Sequence, residues 1–240
     1  MIEIYEVELR LNTRADVTTL KTMAFDEVII ATGVAPRQLT LEGIDSPKVV
    51  SYVDAILGRK SIGERVAVMG AGGIGFDVAE LISHAGVSGS VDVKVFAREW
   101  GIAFRNHPRG GVTGVQPQVA AAARTVYLMQ RKSDRVGKGL GRTTGWTHRL
   151  TLKRRGVHMI NGVEYLKIDE AGLHTRINGA LKIFDVDTVI VCAGQLSLRG
   201  LYDELQNQGI RATLVGGAFE AGELDAKRAI DQASRLAVAI

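Results

Sequence analysis

Arg65-Val-Ala-Val-Met-Gly-Ala-Gly-Gly-Ile-Gly-Phe-Asp77 joins a short apolar run to glycines spaced G-x-G-x-x-G at Gly70, Gly72 and Gly75. An apolar-periodic segment begins at Ile74, so the stretch reads as a strand, a tight turn and the start of a helix. In that setting the glycine pattern cradles a dinucleotide. Gly70 permits the turn, Gly72 lets the backbone approach a pyrophosphate, and Gly75 lets helix and strand pack closely. The N–H groups at the helix N-terminus, with Gly73 beside them, then face the phosphate charge. Glycines alone would mark only a tight turn; with strand and helix in place a bound dinucleotide is expected.

An acid about 20 residues further on would take the ribose 2′-hydroxyl of NAD. The run Val91–Ala97 lies there, but its acid, Asp92, stands at the start rather than the end. A better second strand is Arg124-Thr-Val-Tyr-Leu-Met-Gln130, followed by Arg131 and Lys132. Two cations at that edge suit a 2′-phosphate, which a guanidinium grips through paired charge-assisted hydrogen bonds. The cofactor therefore reads as NADP, with two solvated charges ending a strand as the bland alternative. This choice makes residues 86–123 an insertion, expected as a long loop with a small helix at Ala120–Ala123.

Outward from this unit, strand-like and helical runs alternate, which argues for an α/β fold with a parallel sheet. Ile2–Leu11 alternates apolar and polar residues, and Glu27–Ala31 is a buried-type run ending in Thr32-Gly33. A helix is expected at Ile74–His84 and another near Thr147–Arg155. Short strands follow at Val157–Ile160, Glu164–Ile168, Gly172–Ile177 and Leu181–Phe184, with Asn178-Gly179 as a hairpin turn. Thr188–Ala193 is a further buried run, and the chain closes with Thr213–Val215, Gly216-Gly217 and a helix from about Glu220 to Ala239. Asp26-Glu-Val-Ile-Ile-Ala-Thr-Gly33 echoes Asp187-Thr-Val-Ile-Val-Cys-Ala-Gly194. Two such strand ends flanking a dinucleotide unit suggest crossings into and out of an inserted domain.

With 46% hydrophobic and 23% charged residues in 240, the chain has ample material for a core and is not of disordered composition. No apolar stretch approaches the ~20 residues that span a bilayer, and Met1–Glu8 carries acids where a signal peptide needs cations, so no membrane partner and a cytoplasmic location are expected. Cys192 is the one cysteine; it sits in an apolar run, is expected to be buried packing, and leaves no cysteine cluster for a metal. His84, His107, His148, His158 and His174 lack ligand-like spacing. Glu223 and Asp225 are expected to complement the last helix's dipole. Nine Lys/Arg fall between Arg131 and Arg155 against one acid, Asp134. Gly137, Gly139, Gly141 and Gly145 suggest a mobile loop. This patch reads as a phosphate-gripping loop, with a solvated surface or a nucleic-acid footprint as alternatives; its single aromatic, Trp146, argues against single-strand stacking.

The chain resembles two-dinucleotide flavoproteins, in which an "ATG" strand end precedes an inserted pyridine-nucleotide domain. Within them it is similar to the C-terminal part of the bacterial NADPH-dependent 2,4-dienoyl-CoA reductases. The residues are Phe25–Gly33, Gly72–Asp77, Gly137-Lys-Gly-Leu-Gly-Arg-Thr-Thr-Gly-Trp146, Val191–Gln195 and Glu223–Ile230. The resemblance implies a Rossmann-like NADPH domain (59–195) inserted in a partial FAD domain (1–58 and 196–240). It also implies hydride transfer from NADPH to FAD, and onward through a 4Fe–4S cluster and FMN in an N-terminal TIM barrel to an unsaturated acyl-CoA. Gly70, Gly72, Gly73 and Gly75 carry over as the pyrophosphate loop and Arg131 with Lys132 as the 2′-phosphate grip. Thr32, Gly33 and Gly194 carry over as chain crossings near the cofactors, and Gly216-Gly217 as a helix start facing FAD. The family often has an acid two residues after that glycine pair; here Phe219 precedes Glu220. The barrel, the cluster cysteines and the FAD fingerprint have no counterpart, so the remainder of such an enzyme is the implied partner and turnover by this polypeptide alone is not expected. Two other readings stay open: a self-contained NADP-dependent dehydrogenase, and a nucleotide- or RNA-binding module using residues 131–155.

Overall fold

In a computed structural model, which describes residues 4–105, 112–222 and 226–240, the chain enters through helix α1 (Val17–Met23) and the short strands β1 (Val28–Ile30) and β2 (Val34–Pro36). Asp16 starts α1, its carboxylate accepting from the Thr19 N–H at 2.8 Å. Next come β3 (Val49–Ser51), α2 (Tyr52–Ile56), β4 (Arg65–Met69), α3 (Gly73–Ser83), α4 (Val93–Trp100), β5 (Thr125–Met129), α5 (Gly145–Arg154) and β6 (His158–Ile160). A meander of β7 (Val163–Asp169), β8 (Gly172–Ile177) and β9 (Ala180–Phe184) leads to β10 (Thr188–Val191). The chain closes with β11 (Gln195–Ser197), α6 (Gly200–Asn207), β12 (Ala212–Leu214), α7 (Gly216–Phe219) and α8 (Ala226–Ala239). Two units result: Gln38–Ala193, and the flanking segments Met1–Arg37 with Gly194–Ile240.

The inserted unit is built on a five-stranded parallel sheet in the order β3-β10-β4-β5-β6. Val66 and Val68 of β4 pack with Phe76, Val78 and Ile82 of α3 and with Leu128 and Ile190. Ala67 and Met69 belong to the other face, with Met129, Val189 and the meander residues Val163, Leu173 and Phe184. A central parallel strand is covered on both faces, which is why Val66–Met69 reads as a continuous apolar run rather than an alternating one. Arg65, at the strand's start, fastens β4 to the approach of β10. Its N–H donates to Asp187 Oδ2 at 2.9 Å and its guanidinium pairs with Asp187 Oδ1 at 2.7 Å, with Asp185 as a further partner. These bonds from Arg65 hold the Asp187 carboxyl down at about 2.

In the flanking unit β1 pairs in parallel with β12, Val28 opposite Ala212 and Ile30 opposite Leu214, and β2 pairs antiparallel with β11. Its core gathers Val17, Val28, Ile30, Leu205, Ala212, Leu214 and Ala218. Ile29, on the other face of β1, is 44% exposed, and α8 has no buried residue.

The alternating runs thus give the expected α/β fold with a parallel sheet. Several local expectations are corrected. The first crossing falls at Arg37/Gln38 rather than at 58, because β3 and α2 join the inserted unit, with Val49–Ser51 registered against Val189–Val191. The return falls at Ala193/Gly194. Residues 4–11 form turns and extended chain, not a strand; alternation needs a partner strand, and Ile4, Val7, Leu9 and Leu11 stand exposed. The helix of the insertion is α4, not Ala120–Ala123. Asp92, considered for a ribose contact, is its N-cap, accepting from Lys94 and Val95 N–H at 2.8 and 3.2 Å. The last helix begins as described at Ala226, after the separate turn α7. His107, Pro108, Gly110, Gly111, Glu223 and Asp225 lie outside the described residues.

Candidate dinucleotide-binding site

The Gly70–Gly75 turn leaves β4 between two neighbours. Gly70 takes φ +114°, and its N–H donates to the Met129 carbonyl of β5 at 2.9 Å. On the other side a Cβ at Gly70 would stand 2.3 Å from the Cys192 carbonyl oxygen. A Cβ at Gly75 would stand 1.9 Å from the Gly70 carbonyl oxygen, so α3 sits directly on the turn. Gly72 and Gly73 are the opposite case: nothing lies within 4 Å of a Cβ at either position. Gly72 is the N-cap of α3 and offers no side-chain hydrogen bond, so the first-turn N–H groups are left for a ligand or water.

The parallel register aligns Met69 with Met129, so β5 ends flush with the turn and the chain continues into exposed Arg131 and Lys132. Within reach of the Arg131 charge lies Tyr165, whose hydroxyl is buried near the Gly70 backbone without a hydrogen-bond partner of good geometry. Burial raises its pKa while the Arg131 charge opposes the shift. Nothing in the sequence singled Tyr165 out, since the pattern of β7 marks it only as a partly buried strand residue. Cys192, half-buried beside the turn, has its thiol pushed up to about 12 by desolvation and stays protonated at neutral pH.

The loop from Arg131 to Thr144 is pinned rather than mobile. Gln130 Nε2 donates to the carbonyls of Lys132 and Asp134 at 3.0 and 2.6 Å, and Asn161 Nδ2 to that of Ser133 at 2.5 Å. Val136 is buried in the α3 core, Arg149 donates to the Gly137 carbonyl at 2.7 Å, and a Cβ at Gly137 would meet the Phe76 ring at 2.6 Å. The glycine there serves close packing on an aromatic ring, not flexibility.

The other expected residues fall in the flanking unit. Thr32 spends its hydroxyl on the Leu198 carbonyl at 2.7 Å, and the Gly33 carbonyl accepts from Leu198 N–H at 3.0 Å. The Gly194 carbonyl accepts from Arg37 N–H at 3.0 Å. Gly33 and Gly194, which end the two echoing runs, thus lead into the paired strands β2 and β11 next to the unit boundary. Gly216 N–H donates to Gln232 Oε1 at 2.8 Å, and the Gly217 carbonyl accepts from the Ser197 hydroxyl at 2.7 Å. Two histidines meet carboxylates instead of one another: His148 Nδ1 lies 2.9 Å from Glu80, and His174 Nε2 lies 2.8 Å from Asp169. Among the described residues no three His, Cys, Asp or Glu gather as for a metal, and no helix is long and apolar enough to cross a membrane.

Residues 2–212 match the pyridine nucleotide-disulphide oxidoreductase family. A metal reductase of Desulforamulus reducens is 25% identical over 218 residues, covering 89% of this chain and 31% of that protein. A cinnamate reductase of Clostridium sporogenes is 26% identical over 223 residues, covering 88% of this chain and 26% of that protein. Among solved structures, a 2-naphthoyl-CoA reductase in complex with 2-naphthoyl-CoA is similar over 100% of this chain and 30% of its own, with a TM-score of 0.73 at 19% identity, a likeness of fold. The chain spans about a third or less of the length of these curated relatives.

Proposed function

The chain belongs to the pyridine nucleotide-disulphide oxidoreductase family, and from that premise we propose that it is the NADPH-binding portion of a flavin-dependent reductase of the 2,4-dienoyl-CoA reductase type. In that role it passes hydride from NADPH to FAD, for onward reduction of an unsaturated fatty acyl-CoA. The observation that carries the proposal is the register of β4 on β5, which sets Arg131 and Lys132 flush with the glycine turn. The residues fit the cofactor. Gly72 and Gly73 leave room for a pyrophosphate, and the uncapped start of α3 offers it N–H donors. The two exposed cations just after β5 have the charge that a 2′-phosphate would call for. When bound, NADPH supplies the hydride; the chain's own part is to hold and orient it.

FAD is assigned to the flanking unit, with Thr32, Gly33, Gly194, Gly216 and Gly217 near it. Because the Gly216 N–H is already engaged by Gln232, this segment is expected to contribute less to FAD than the turn does to NADPH. Parallel sheets are ordinarily covered on both faces. The pair β1–β12, with Ile29 exposed and Ile230 and Val238 open on α8, therefore supports further flavin-domain chain as partner. FMN and the 4Fe–4S cluster are assigned to that remainder. The name of the cinnamate reductase relative supports a conjugated alkene as acceptor. Within this chain a single cysteine, held protonated, rules out an internal redox disulphide.

Titration of the purified chain with NADPH and NADH tests the proposal. Arg131→Ala is expected to weaken NADPH about tenfold, the loss of roughly one charge-assisted contact, and to leave NADH unchanged. Equal affinity for the two cofactors in the parent, or equal weakening of both by the substitution, would refute the 2′-phosphate role.

A further inference from the structure

A second concave feature lies between α5 and the end of β6. It is an open groove of about 540 Å³, within the range of small-molecule sites. Its walls carry Arg135 from the β5–α5 loop, Arg149 and Lys153 from α5, and Asn161 just after β6; Val136 and Met159 give it an apolar floor. Arg149 and Lys153 are four residues apart on one helix and therefore share a face. The Gly137 carbonyl fixes the Arg149 guanidinium, and the two backbone carbonyls of the preceding loop fix the Asn161 amide. Arg135 and Lys153 are exposed, and among the described residues neither side chain makes a hydrogen bond or ion pair. The acid of this loop, Asp134, is taken by Lys138 at 3.0 Å. Three cations around one concavity, with no carboxylate among its described lining residues, repel one another and raise the local concentration of anions.

None of Gly70–Gly75 and neither Arg131 nor Lys132 lines this groove. We propose that it is a second anion site, separate from the dinucleotide turn, which takes the phosphate ester of a small organic ligand whose ring or chain lies on Val136 and Met159. The cations hold the phosphate through charge-assisted bonds, and the floor selects an ester with an apolar body over inorganic phosphate. The site goes beyond the NADPH proposal and stands without it, since the two share no residue.

Calorimetric titration of the 240-residue chain with 5′-AMP, in the presence of saturating NADP, tests this. AMP is expected to bind, with an affinity that falls as salt rises. Lys153→Glu and Arg135→Ser, both at exposed side chains without partners, are each expected to weaken AMP about tenfold while leaving NADP affinity as it was. Failure of AMP to bind once NADP is present would make the groove one end of the dinucleotide site and overturn the proposal. AMP affinity unmoved by both substitutions would overturn it equally. Loss of NADP selectivity in Arg131→Ala would bear on the other proposal alone.

Discussion

The four glycines of the fingerprint divide into two that pack and two that face open space, and substitution by alanine should separate them cleanly. A Cβ at Gly75 would stand 1.9 Å from the Gly70 carbonyl oxygen, whereas ordinary contact begins near 3.4 Å. The helix or the turn must therefore give by roughly 1.5 Å, against a core already filled by Phe76, Val78 and Leu128. Overpacking of this kind costs about 1–3 kcal/mol. At about 2–4 °C per kcal/mol for a unit of this size, Gly75→Ala should lower Tm by somewhere between roughly 2 and 12 °C. Gly72→Ala meets no atom and has φ −81°, which alanine adopts freely. Its poorer N-cap, about a few tenths of a kcal/mol, is offset by the lower entropy of the unfolded chain, so Tm should hardly move. If Gly72 exists to let a pyrophosphate approach, the same substitution should still weaken NADPH about tenfold or more, through a methyl group lying where the phosphate belongs. Thermal unfolding followed by circular dichroism and a fluorescence titration of NADPH read the two effects separately. A stable Gly75→Ala, or a Gly72→Ala that binds NADPH as tightly as the parent, would refute this division of labour.

Two further outcomes follow from the ionisable groups. Asp187, held at about 2 by Arg65, contributes stability in full above the ordinary carboxylate range near 4 and loses it as pH falls from there towards 2. Asp187→Asn should accordingly be less stable than the parent at pH 7, with the gap closing below pH 4 in urea titrations; a gap as wide at pH 2.5 as at pH 7 would contradict the assignment. Cys192, with its thiol at about 12, should carry only about one thiolate in ten thousand at pH 8. A disulphide reagent should therefore label it at the rate at which the chain opens, and labelling as fast as that of a free thiol would refute its protonated state.

What the sequence disclosed and what it hid follow the range of the interactions involved. The β4 turn and the cations after β5 were legible because glycine spacing and strand ends are local. The Asn178-Gly179 hairpin was legible for the same reason, with φ of 50° and 82° at the turn residues. β3 was not, since three residues become a strand only by pairing with Val189–Val191, some 140 positions away. That single pairing moved the domain boundary from 58 to 37. Within the insertion, Asp92 was weighed only as a ribose contact, but its carboxylate satisfies two N–H groups and starts a helix there. The alanine run at 120–123, too short to nucleate and without a cap, stays unwound. The glycines of 137–145 suggested mobility because glycine permits it, yet Gly137 is small in order to admit Phe76, a contact 61 positions distant in sequence. Tyr165 was invisible because its significance lies in what fails to reach its hydroxyl.

The distinction between a ligand site and a mere turn rests on which glycines the fold itself requires. Passing from β4 to α3 needs Gly70, for its positive φ and the Cys192 carbonyl against it, and Gly75, for the approach of helix to turn. It does not need Gly72 or Gly73: both have room for a side chain, and a serine or aspartate at the Gly72 position would cap α3 where glycine does not. A sequence shaped by packing alone would have no use for two unencumbered glycines at the start of a helix. They lie, moreover, at the carboxyl end of β4, the end of an open parallel sheet at which ligands are held. Free N–H groups, absent side chains and two exposed cations at one strand edge are each without a structural purpose, and the proposed anionic dinucleotide would give all three the same one.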